Sequence, residues 1–76
     1  MLQLKNIQNN ERYISANYLP EGSSVEGFIK IDKTTGEIVE QKKADGYGLM
    51  HAISALQRLL DTPSTVKLRD RVVSWY

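Results

Sequence analysis

Cysteine is absent from the chain, so no disulfide framework, thiolate metal site or cysteine nucleophile is available, and the fold must rest on its packed core. A reducing, cytoplasmic location fits that absence. A single histidine, His51, excludes a multi-histidine metal centre and leaves one imidazole for acid–base work. Neither sign of charge is in excess. Ten Lys and Arg against nine Asp and Glu leave a net +1, too weak a field to capture nucleic acid or an anionic membrane by itself. Long hydrophobic runs are missing too: no window approaches the roughly 20 apolar residues of a transmembrane helix. Met1-Leu2-Gln3-Leu4-Lys5-Asn6 alternates apolar with polar residues where a secretory signal would carry about 7–15 apolar ones. The expectation is a free-standing protein without targeting or membrane segments, and a single small domain over 1–76. Hydrophobic residues at 41% and charged residues at 25% place the chain among those that fold.

Period-two alternation dominates the first half. Leu2, Leu4 and Asn6 alternate with Gln3, Lys5 and Ile7, and a second run from Arg12 to Leu19 sets Ile14, Ala16 and Tyr18 against Tyr13, Ser15, Asn17 and Leu19. Asn9-Asn10 between them predicts a hairpin with a tight primed turn, because Asn tolerates positive φ. Pro20-Glu21-Gly22-Ser23-Ser24 then reverses the chain, with Pro20 expected at the second turn position. Val25, Gly27, Ile29 and Ile31 alternate with Glu26, Phe28, Lys30 and Asp32, and a fourth run covers Glu37 to Lys43. Asp32-Lys33-Thr34-Thr35-Gly36-Glu37 joins them, with Gly36 suited to the left-handed position of a turn plus bulge.

From about Asp45 the period changes. Leu49, Ala52, Ile53, Leu56, Leu59 and Leu60 form a stripe that only a helix gathers on one face, with Asp45 as N-cap and Asp61-Thr62-Pro63 as the stop. Residues 71–76 are β-branched and aromatic and predict a final strand. A second helix capped by Thr62, with Pro63 in its first turn, is the competing reading of 63–76, but its apolar positions form no single stripe.

Asn17-Tyr18-Leu19-Pro20-Glu21-Gly22, Gly27-Phe28-Ile29-Lys30-Ile31-Asp32, Thr35-Gly36-Glu37-Ile38, His51-Ala52 and the closing Trp75-Tyr76 carry a resemblance. Over most of its length the chain resembles a group of short bacterial proteins of unknown function. The resemblance implies a small α+β fold with a terminal strand and brings no catalytic, cofactor or metal residues.

Several residues invite a chemical reading. His51 and Ser54, at i and i+3, are expected on the exposed helix face beside Tyr47 and Arg58, where a Ser–His pair would lack a pocket, oxyanion donors and an orienting carboxylate. A solvated face explains them. Gly46-Tyr47-Gly48 after Lys42 and Lys43 could hold an anion at a helix start, but lacks the rest of a phosphate-binding loop and serves equally as a turn. Lys67, Arg69, Arg71, Val73 and Trp75 share one parity, a basic row ending in an aromatic as single-stranded nucleic acid requires, interrupted by Asp70. Core closure by Trp75 is the plainer account. Glu11, Glu21, Glu26, Asp32, Glu37 and Glu40 are scattered, with no sign of convergence into a catalytic pair.

The expected architecture is therefore α+β: an antiparallel meander of about four strands, one helix packed across one face, and a C-terminal strand. Ile14, Ala16, Tyr18, Val25, Ile29 and Ile31 should face the helix; Tyr13, Leu19, Phe28 and Val39 should then face outward among Arg12, Glu26 and Lys30. A helix of this size covers only one face. Outward aromatics mark a contact surface, so Tyr13, Phe28 and Lys30 are the candidate partner-binding residues of a non-enzymatic interaction module needing no cofactor or metal. Its partner would be another protein or a second copy. A nucleic-acid-binding module using the same aromatics with Lys30, Lys67, Arg69 and Arg71 is the alternative.

Overall fold

A computed structural model describes residues 1–44 and 48–74. They form β1 (Leu2–Asn9), β2 (Tyr13–Pro20), β3 (Gly27–Asp32), β4 (Ile38–Lys42), α1 (Leu49–Gln57) and β5 (Arg71–Val73). The strands build one antiparallel sheet in the order β4-β3-β2-β1-β5, so the first four follow the meander and the last returns beside β1. The fold is α+β, as the change of period from two to 3.6 implies.

The core lies between α1 and one sheet face. Leu2, Leu4, Ile7, Ile14, Ala16, Tyr18, Ile29 and Ile31 from the sheet meet Ala52, Ile53 and Leu56 from the helix, all buried, while Leu49, Leu59, Leu60, Leu68 and Val73 pack around them. Ile7 departs from the simple alternation. Lys5 pairs with Asn17 and Gln8 with Ser15, so Asn6 and Ile7 together oppose Ala16 in a bulge. Asn6 absorbs it with φ of 52°, and Ile7 turns onto the core face where strict alternation puts Asn6. Asn is among the few side chains that accept this backbone conformation.

The turns follow their residues, with two corrections. Asn10 makes no primed turn: its side-chain oxygen accepts hydrogen bonds from the Arg12 and Tyr13 N–H groups at 3.1 and 2.7 Å, and its own N–H donates to the Tyr13 carbonyl. The side chain replaces the positive φ that the primed turn needed. Pro20 is the last residue of β2 and the first of its turn, not the second, since the Ser23 N–H donates to the Pro20 carbonyl and Gly22 carries φ of 80°. Glu21 N–H points at β1, donating to the Met1 carbonyl. By alternation the missing N–H of Pro20 faces the other side, where β3, which begins opposite Tyr18, does not reach. Gly36 adopts φ of 76° as its position implies. Val25 faces solvent at 40% exposure instead of the helix, because β3 starts only at Gly27 and Ser23 Oγ ties up the Val25 backbone.

The helix is shorter than its apolar stripe. It spans nine residues and is preceded by Gly48 with φ of 117° and no side-chain cap. After Gln57 the chain tightens into single turns, Leu59 N–H bonding to the Leu56 carbonyl and Thr62 N–H to that of Leu59, which still directs Leu59 and Leu60 at the core. The expected Asp45 cap lies outside the described residues. Pro63 opens one turn closed by the Val66 N–H, not a second helix. Asn9 Nδ2 holds that turn through the Pro63 and Val66 carbonyls, Asp70 Oδ1 accepts the Asn6 N–H, and β5 follows.

Candidate functional site

Because α1 packs on the face that carries Ile14, Ile29 and Ile31, the opposite face of the sheet has no helix over it among the described residues. Strand alternation populates it. Tyr13, Ser15, Asn17 and Leu19 come from β2, Phe28 and Lys30 from β3, and Glu40 and Lys42 from β4. Register sets their neighbours: Phe28 lies between Asn17 and Lys42, Lys30 between Ser15 and Glu40, and Tyr13 opposite Asp32. Tyr13, Phe28 and Lys30 are each half-buried and share this face, as expected from their parity.

Lys30 Nζ sits 4.5 Å from the centre of the Tyr13 ring, and the Arg12 guanidinium carbon 5.3 Å from it. Two cations on one ring fix its orientation, each contact contributing about 0.5–1 kcal/mol where exposed. Asp32 anchors this corner: one carboxylate oxygen accepts the Thr34 and Thr35 N–H groups at 2.7 and 3.3 Å, and the other lies 3.8 Å from Arg12 Nε. On the other flank Lys5 Nζ donates to Glu26 at 2.7 Å, and this hydrogen bond and charge raise the lysine pKa above its ordinary value. Beyond Phe28 the face continues into a depression of about 430 Å³ lined by Leu19, Pro20, Gln3 and Val72 among others. Val72 is 62% exposed there, paired with Gln3. Sequence reasoning missed it, although its parity relative to Val73 carries the signal. Val39, at 51% exposure, sits at the β4 bulge.

The remaining candidates scatter. His51 is half-buried instead of exposed, since β5 runs alongside: His51, Ser54, Ala55 and Arg58 line a depression of about 130 Å³ with Val73 and Ser74. Gly46 and Tyr47 of the possible anion loop, and Trp75 of the basic row, lie outside the described residues. Gly48 has a packing reason for its identity: a side-chain carbon would come within 3.3 Å of Leu2 and 3.6 Å of Pro20, on a backbone of positive φ. Arg71, opposite Leu4, projects to the helix side of the sheet, whereas Lys30 projects to the other side, so these two cations do not share a surface. Glu21, Glu26 and Asp32 are engaged by Met1, Lys5 and Arg12 respectively. Among the described residues no group of three or more His, Cys, Asp or Glu is placed to hold a metal ion, and no helix is long and apolar enough to cross a membrane. The open face thus offers apolar contact, two oriented cations and hydrogen-bonding amides. No protein-family model, curated protein or solved structure matches the chain.

Proposed function

We propose that the protein is a small non-enzymatic protein-interaction module that buries the open sheet face against another protein surface. One observation carries the reading: Phe28 and Tyr13 share the sheet face opposite α1, with Lys30 between them in register and over the Tyr13 ring. An aromatic anchor flanked by a cation is the usual composition of an interface hot spot. A nucleic-acid partner is the alternative; it asks Lys30 and Arg71 to act together from opposite faces of the sheet.

Crosslinking in the producing cells tests the reading whichever protein the partner is. A photo-crosslinking phenylalanine analogue is placed at position 13, with the same analogue at the exposed Ser54 of α1 as control. The expected result is a discrete adduct to a protein from position 13 that is absent from the control. An adduct removed by nuclease would favour the nucleic-acid reading, and equal or absent labelling at both positions would refute the contact face.

A further inference from the structure

The sheet has an outer edge of unusual openness. All five residues of β4 are exposed, and no described strand pairs with its far side. An unpaired edge exposes backbone groups that template pairing with another chain. Which groups face outward follows from β3. The Asp32 N–H donates to the Glu37 carbonyl and the Asp32 carbonyl accepts the Gly36 N–H, so Asp32 directs its backbone toward the β4 side. By alternation Lys30 and Phe28 do the same, which makes Lys30–Glu40 and Phe28–Lys42 the hydrogen-bonded pairs and leaves Gln41, opposite Ile29, with its N–H and carbonyl aimed away from the sheet.

We propose that two copies of the chain pair antiparallel through their β4 edges about a two-fold axis at Gln41. In this register each Gln41 exchanges both backbone hydrogen bonds with Gln41 of the second copy. Glu40 then stands opposite Lys42 of the second copy, and Lys42 opposite Glu40, so the symmetry makes the favourable pair twice. Neighbouring registers fail on charge. A two-fold at Glu40 sets Glu40 against itself, and one at Lys42 sets Lys42 against itself, whereas a shift by one residue opposes outward with inward backbone groups. The bulge beside Val39 and the lysines at 42 and 43 are devices that keep an edge from indiscriminate pairing. The register at Gln41 is the arrangement that turns Lys42 into a partner. The dimer joins both sheets into one and doubles the open face, extending the interaction reading without depending on Phe28.

Light scattering of the full chain from micromolar to millimolar concentration tests this. The wild type should reach twice the chain mass. Glu40→Lys and Lys42→Glu should each raise the dimer dissociation constant by at least about tenfold, because two attractive cross-strand pairs become two repulsive ones. An equimolar mixture of these two variants, and the double swap Glu40→Lys/Lys42→Glu, should restore the dimer. Both side chains are exposed, but Glu40 stands opposite Lys30 in its own sheet whereas Lys42 stands opposite Phe28, so Lys42→Glu is the cleaner reversal, and its circular dichroism and melting temperature should match the wild type. A wild type that stays monomeric throughout overturns the inference, as does a dimer indifferent to both reversals. Phe28→Ser should leave the dimer intact; a dimer lost with Phe28→Ser but surviving the charge reversals would refute edge pairing while supporting the contact face.

Discussion

Tyr18 shows how much of this fold depends on single contacts. Its ring lies over Gly27, its cross-strand neighbour, where any side-chain carbon would collide with the ring and approach the Lys42 carbonyl to 2.7 Å. Its hydroxyl accepts the buried Ala44 N–H at 3.0 Å, fixing the chain as it leaves β4. Tyr18→Phe keeps the packing and strips that N–H of its acceptor, so a loss of about 1–3 kcal/mol is expected in chemical denaturation. Gly27→Ala should cost more, since neither ring nor backbone can yield freely. Leu56, fully buried at the centre of the helical stripe, should cost about 2–5 kcal/mol as Leu56→Ala. That approaches the lower end of a folded domain's whole stability of about 5–15 kcal/mol. A variant melting like the wild type would show the helix phase to be wrong. Lys5 offers a check with a defined sign: Glu26 raises its pKa, so the stabilisation is present below the ordinary value of 10.5 and disappears as pH climbs through the raised value. The melting difference between wild type and Lys5→Gln should therefore shrink in strong alkali and persist at neutral pH.

Among the elements, legibility tracked how local each determinant is. The helix phase and the inward set Ile14, Ala16, Tyr18, Val25, Ile29 and Ile31 follow from period alone, and the structure buries all of that set but Val25. The β1 bulge was not legible, because Asn6 and Ile7 look like ordinary alternation until a partner strand shows two residues opposing one. Nor was the early end of α1, since Leu59 and Leu60 continue the stripe in tight turns that the pattern cannot tell from helix. The return of β5 beside β1 depends on contacts more than 50 residues apart, Asn9 to Pro63 and Asn6 to Asp70; no local rule reports these. They do yield a prediction. Asp70→Ala removes the acceptor for the Asn6 N–H, so hydrogen exchange of β5 and of Asn6 should quicken while α1 remains protected. Equal loosening of α1 would show that β5 and the helix open as one unit.

The whole molecule is one sheet with a helix on one side. At nine residues, α1 extends about 14 Å, enough to seal the core and too little to reach around to Tyr13, Phe28 and Lys30. The trio was legible because parity alone assigns these side chains to the uncovered side; the cation stacking of Lys30 on Tyr13 and the depression beside Val72 were not, since they need the register of three strands. Function turns on whether this face meets another molecule or supports its own chain. Phe28→Ser separates the two, assayed for thermal melting and for the adduct formed by the crosslinking analogue at position 13. A contact face requires melting within a few degrees of the wild type, about what a loss below 1 kcal/mol produces in a chain this size, together with disappearance of the adduct. A sharp fall in melting temperature with the adduct unchanged would mean the opposite, because Phe28 would then belong to the interior of its own chain.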